Sequence, residues 1–273
     1  MRDAASFAAL CQMEQPPDGG IGTLREKTLH RVLKHWIEPR ADCREQPVAG
    51  FVVDILNEDG VTEIQTRGFF SLRRKLERLL GETPVRVVFP LAARRWIRWA
   101  DPETGVLSPR RLSPRRGSYF DAFYELTHLA PLLNHPNLTL ELLLIDAEEL
   151  RLRCGWGNGG KRGAVRIELL PLALAGQRVL RQPQDYAGLL PDTLADPFTC
   201  AQLRKAAGRS DTLCRRALYT LERVGALQRI GKQGRALLYT RTAACADGRE
   251  CDSIGAENTA GGTDAPAGRE GSV

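Results

Sequence analysis

The spacing of apolar residues along the chain changes period several times, and each change marks an element. From Thr23 to about Ile37, Leu24, the aliphatic stem of Lys27, Thr28, Val32 and Leu33 recur at helical spacing. Thr23 stands at the N-cap position with Glu26 three residues on, the pattern of a capping box, and Pro39 ends the run. Phe51 to Leu56 is a β-rich apolar stretch interrupted by Asp54, and Asn57-Glu58-Asp59-Gly60 carries the Asp-Gly pair that hairpins favour. Val61 to Thr66 is then the returning strand. Ser71 to Leu80 sets Leu72, Leu76, Leu79 and Leu80 on one face, with Arg73, Arg74, Lys75 and Arg78 around it. Gly81 ends that helix, and Pro84 to Leu91 contains the apolar strand Val85 to Phe89. The predicted order is helix, hairpin, helix, strand.

Beyond this core the pattern predicts a helix from Tyr119 to Asn134 and a strand from Leu138 to Ile145, after an arginine-rich stretch from Pro109 to Gly117. Gly155 to Gly163 includes Lys161 and Arg162 but lacks the spacing of a phosphate-binding loop, so a hairpin tip is the expectation. Near the end, Thr199 caps a helix to about Ala207 and Ser210 caps a second to Val224. Two short strands, Ala226 to Ile230 and Arg235 to Tyr239, follow around Gly231 to Gly234. Helix, turn, helix and hairpin make the winged-helix plan. Residues 1–20, ending Pro16-Pro17-Asp18-Gly19-Gly20, show no periodicity and are expected to form a disordered lead. Residues 243–273 have almost no large apolar side chains and are expected to be a disordered tail. The expected organisation is an α/β domain over 21–180, with its core at 23–90, and a winged-helix module over 190–242.

The chain has 273 residues, enough for one large or two modest domains. Its apolar runs are too short to cross a bilayer, and the N-terminus has no basic stretch leading into an apolar core. The cytoplasm is therefore the expected location, with no membrane partner. Seven cysteines include no C-x-x-C pair, which points to neither a disulfide framework nor a structural zinc site. The net charge is +6, yet both ends are acidic, so the middle of the chain is more basic than the total implies. A basic body between acidic ends points to a polyanionic partner. Most of the cations are arginine, which suits bidentate phosphate contacts, although a GC-rich genome produces the same bias.

Asp54 lies inside an apolar strand, where a charge is costly unless paired or bound to metal. Glu63 lies on the next strand, so the hairpin brings the two side by side, and Gln65 faces the same way as Glu63. Asp54 followed by Glu63-Ile64-Gln65, in a helix-strand-strand-helix-strand frame, resembles the PD-(D/E)XK, or restriction-endonuclease-like, nuclease superfamily over about a quarter of the chain. The opening Gly22 to His30 also resembles that of an uncharacterised bacterial family. The nuclease resemblance implies a mixed α/β sheet flanked by helices and magnesium- or manganese-dependent endonuclease hydrolysis of nucleic acid, DNA in the first instance. It implies Asp54 and Glu63 as metal ligands, Glu26 as a supporting helix acid, and Gln65 where the superfamily has a water-positioning Lys.

Glutamine orients water by hydrogen bonding but brings no charge. Lys75 or Arg73 on the following helix is the replacement cation. His30, one turn after Glu26, is either a supporting ligand or base or a packing residue. In a winged helix the second helix and the wing meet nucleic acid, which nominates Arg209, Arg215, Arg216, Lys232 and Arg235. Arg110, Arg111, Arg115 and Arg116 form either a further backbone-binding loop or a solvated one. Two other readings stay open: a catalytically inactive nuclease fold that binds nucleic acid, and a winged-helix interaction scaffold that self-associates as a homodimer.

Overall fold

The Asp-Gly turn makes the hairpin it favours, β2 (Phe51–Asn57) against β3 (Gly60–Ile64), with Asn57 opposite Gly60. In this computed structural model residues 3–14, 27–156 and 162–242 are described. Gly60 takes φ +104°, and a Cβ there would meet the Pro84 carbonyl oxygen at 2.4 Å, so the turn accepts no larger residue. β1 (Arg44–Val48) pairs antiparallel with β2 on the outer side. On the inner side β3 runs parallel to β4 (Val85–Ala100), which runs parallel to β6 (Leu138–Trp156) and pairs at its far end with the short β5 (Arg111–Leu112). β7 (Arg162–Leu180) returns antiparallel to β6. The result is a mixed seven-stranded sheet, in the order β1-β2-β3-β4-β6-β7 with β5 on β4, flanked by helices.

Two helices cover one face. α2 (Thr28–Ile37) buries Leu29, Val32, Leu33 and Trp36 against Ile55, Ile64, Val88 and Leu143. α1 (Ala4–Met13) packs beside it through Phe7 and Cys11. This corrects the expectation of a disordered lead over residues 3–14, the rest of 1–20 lying outside the described residues: Asp3 caps the helix by accepting from the Ser6 N–H at 2.7 Å, and Glu14 binds Arg31 and His35. Its apolar signal is weak because only Phe7 and Cys11 are fully buried in an alanine-rich helix.

The opposite face carries α3 (Phe69–Leu79), whose Phe69, Leu72, Leu76 and Leu79 meet Val53, Val61, Val85 and Val87. Beyond it, the single helix expected over 119–134 is instead a 3₁₀ turn (Tyr119–Ala122), α4 (Phe123–Leu126) and a series of i to i+3 turns. Pro131 has no N–H to donate and breaks the run. α5 (Pro183–Ala187), β8 (Phe198–Thr199), α6 (Cys200–Ala207), α7 (Asp211–Arg223), β9 (Leu227–Gln233) and β10 (Ala236–Arg241) complete the chain. Thr199 and Ser210 cap α6 and α7 as their side chains predict, and the hairpin joins β8 in a three-stranded sheet, β8-β10-β9. This unit does not stand apart: Leu203, Leu213, Leu218 and Tyr239 belong to the same continuous core as Leu76, Val87 and Leu140.

β4 and β6 are far longer than the strands their apolar runs predict, because both continue past the core, with β7 beside β6, as an arm of paired charges. Buried Asp146, Glu148 and Glu149 meet Arg94, Arg95, Arg98, Arg110 and Arg151. Residues 157–161, including Lys161, and Glu26 with its capping box fall outside the described residues. No helix among the described residues is long and apolar enough to cross a membrane.

Candidate functional site

The ladder between β2 and β3 is regular from the turn to Ile55 and Thr62, and the next step sets Asp54 opposite Glu63. There the backbone bonding stops and the carboxylates take its place. Asp54 Oδ2 accepts from the Ile64 N–H at 2.7 Å, and Glu63 Oε1 lies 3.4 Å from the Asp54 N–H. The two acids thus fill the gap where the strands part. α2 reaches the gap from one face of the sheet and α3 from the other. His30 Nε2 stands 3.2 Å from Asp54 Oδ2, while Lys75 Nζ sits 2.6 Å from Glu63 Oε1 and donates to the Val52 carbonyl at 2.7 Å.

These contacts divide the acids electrostatically. For Asp54, burial pushes the pKa up, but the His30 hydrogen bond and charge, the Ile64 N–H and Lys34 outweigh it, and the net direction is down. For Glu63, burial pushes up and the neighbouring Asp54 charge adds to it; Lys75 offsets only part, so the net direction is up. Each acid keeps one oxygen, Asp54 Oδ1 and Glu63 Oε2, with no hydrogen-bond partner among the described residues.

A third carboxylate joins the row. The register that pairs Arg44 with Ile55 and Gln46 with Val53 sets Glu45 opposite Asp54. Glu45 has φ +55°, the left-handed region that a non-glycine residue rarely adopts, and binds Lys34 at 2.8 Å. Lys34 is buried, one helical turn from His30 on the same face of α2. Strain of this kind persists where surrounding contacts hold it. Beside the row opens a cleft of about 580 Å³, lined by Lys27, His30, Lys34, Asp54, Thr66, Arg95, Arg166 and Glu168 around an apolar floor. Among the described residues, no group of three or more His, Cys, Asp or Glu stands close enough to hold a metal ion by itself.

The sequence-predicted residues divide accordingly. Asp54, Glu63 and Lys75 come together, and His30 with them. Gln65 stays near the start of α3 and donates to the Arg67 carbonyl at 2.5 Å. Of the arginines of α7 and the turn before it, Arg209 binds Asp121 and the Arg116 carbonyl, and Arg216 donates to the Tyr124 carbonyl, so both seam the C-terminal unit to the body. Arg215 points outward and pairs with Asp211 in the same helix. Lys232 and Arg235 are exposed on the hairpin. Arg110 is committed to Glu148 at 2.7 Å, while Arg111, Arg115 and Arg116 are exposed. Sequence reasoning missed Glu45, Lys34, Arg95 and Arg166. Lys34 carried a usable signal, its i+4 spacing from His30; Glu45 lies in a strand whose polar residues and Pro47 show no alternation.

An α/β protein with a mixed sheet, a buried and a half-buried carboxylate at a strand divergence and an adjoining cleft is the class that these features define. Residues 27–181 match the family described as "Domain of unknown function (DUF8091)", and the chain belongs to that family. It is also similar to an uncharacterized protein of Treponema pallidum (strain Nichols), 32% identical over 222 residues, covering 81% of this chain and 87% of the relative. No solved structure matches. The matched region contains the carboxylate row, His30, Lys34, Lys75 and the whole cleft wall.

Proposed function

We propose that the chain hydrolyses phosphodiester bonds of nucleic acid, DNA in the first instance, through a PD-(D/E)XK-like site. The observation that carries this reading is the pair Asp54 and Glu63, set opposite each other where β2 and β3 part, each with an oxygen uncommitted. Two carboxylates, with waters and substrate oxygens, are what magnesium usually takes, so the donor set fits magnesium or manganese. When bound, such an ion polarises the phosphate and lowers the pKa of an attacking water. The water oxygen forms the new bond to phosphorus, the bond to the leaving ester oxygen breaks, and a proton passes to that oxygen. Around this step His30 holds Asp54 and Lys75 balances the charge on Glu63. Gln65 has its carbonyl oxygen left to orient water, since its amide is used on Arg67. We read the C-terminal unit as a winged helix whose hairpin and outer α7 surface, with Arg215, Lys232 and Arg235, hold the nucleic-acid backbone.

One observation favours a second reading, a nuclease fold that binds nucleic acid without cutting it. Asp54 and Glu63 already have partners within the protein, His30 and Lys75, and Gln65 is turned to its own loop. A cleavage assay on single- and double-stranded DNA with magnesium or manganese separates the two. Turnover that needs the metal and disappears in Glu63→Ala supports hydrolysis. Retarded migration in a gel without any cut product, under every metal, sinks it in favour of binding alone.

A further inference from the structure

The cleft beside Asp54 has a composition that the carboxylates alone do not explain. Its wall joins α2, β4 and β7. Leu29, Phe89, Leu91 and Leu169 supply apolar surface. At its rim Lys27 and Arg166 carry charges that meet no acid among the described residues. Arg95, on the same wall, gives its Nη1 to Glu149 at 3.0 Å and leaves its Nε buried without an acceptor. A buried donor without an acceptor is costly, so the wall favours a ligand that brings acceptor oxygens.

The acids on the same wall, Glu45, Asp54 and Glu168, are held by Lys34, His30 and the Thr28 N–H. An apolar floor, two cations with no acid partner among the described residues, an unsatisfied donor and a volume of about 580 Å³ therefore define an amphipathic anion of moderate size. From this we infer that the cleft binds a single nucleotide, with the base against Leu91 and Leu169 and the phosphate toward Lys27 and Arg166. The inference rests on the nuclease reading for its place in function: the nucleotide is one unit of the strand presented to Asp54 and Glu63. A duplex does not enter a cleft of this volume, so the strand is single or locally opened. Unstacking is least costly for a base that is already single-stranded, and single strands are the substrate class this pocket selects.

The test is calorimetric titration of the full chain with deoxythymidine 5′-monophosphate, then with inorganic phosphate, in buffer containing a chelator. Wild type binds the nucleotide more tightly than phosphate. Arg166→Glu at the exposed rim and Leu169→Trp, which fills the floor, each weaken nucleotide binding about tenfold or more, with folding of both variants checked by thermal melting. Absence of nucleotide binding by wild type overturns the inference. So does equal affinity for phosphate, which leaves an anion site only, and so does unchanged binding in a folded Arg166→Glu chain if Leu169→Trp fails to fold. Because no metal or turnover enters the measurement, nucleotide binding without cleavage sinks hydrolysis and keeps the pocket. Cleavage by a chain that binds no mononucleotide does the reverse.

Discussion

The gap between β2 and β3 and the arm formed by β4, β6 and β7 both bury carboxylates, and they treat them differently. In the arm every oxygen is used: both of Asp146 by Arg94, both of Glu149 by Arg95 and Arg151, and both of Glu148 by Arg98 and Arg110. In the gap Asp54 and Glu63 each use one oxygen, stand opposite each other, and adjoin a cleft. A buried acid is therefore no sign of a site by itself. What separates the two regions is whether the fold has finished the acid's bonding. The arm's arginines complete a structure, whereas the gap leaves acceptors that a ligand can satisfy.

The sharpest break in this comparison comes from removing one cation on each side. Lys75→Met strips Glu63 of its cation, and loss of one member of a buried pair costs about 3 kcal/mol. Arg95→Met leaves Glu149 with Arg151, so its cost is about 1 kcal/mol. Urea denaturation reads both. Adding Glu63→Gln to Lys75→Met recovers most of the loss, because no unpaired charge is left behind. If Arg95→Met costs as much as Lys75→Met, the arm and the gap do not differ in the way argued.

Glu38 extends the comparison to the end of α2. It belongs with the arm: Arg40 engages both of its oxygens and Asn57 donates to one. The Arg40 hydrogen bonds, with help from Asn57 and against the cost of burial, hold its pKa down at about 2, from an ordinary 4.5. A depressed carboxylate stabilises the fold above its unfolded pKa and loses that contribution as pH falls through the folded one. Glu38→Gln is thus expected to be less stable than wild type by about 2 kcal/mol near neutrality. The difference shrinks between pH 4.5 and 2. Thermal melts across that window check it, and a difference that stays constant down to pH 2 refutes the assignment.

How legible each region was in the sequence follows from the range of its contacts. The hairpin, α3 and the capped pair α6 and α7 were readable because their signals are local: Asp59-Gly60, the leucine stripe from Leu72, and Thr199 and Ser210 at the caps. Asp54 announced itself as a charge inside an apolar run. The arm was misleading, since Arg110 reads as part of a polyanion-binding loop until Glu148, on a distant strand, is seen beside it. Glu45 and the cleft were hidden for the same reason. The sequence of β1, Arg44-Glu45-Gln46-Pro47-Val48, has no alternation of apolar and polar residues, and the cleft is assembled from α2, β4 and β7, which no local spacing connects.

The smallest effect on stability belongs to charges that the fold does not use at all. Lys232 and Arg235, on the β9–β10 hairpin, are exposed and have no acid partner among the described residues. Surface substitutions away from caps and buried pairs change stability by about 0.5 kcal/mol or less, so Lys232→Ala and Arg235→Ala should melt like wild type. If the hairpin holds a nucleic-acid backbone, each still removes one phosphate contact. Binding then weakens across all sequences, and the slope of log affinity against log salt falls by about one per residue removed. Arg209→Ala is the control that makes this decisive, because that side chain is tied to Asp121 and faces inward. It should lower stability and leave the salt slope of the folded protein alone. A slope that changes with Arg209 but not with Lys232 or Arg235 would place the contact surface elsewhere on the molecule.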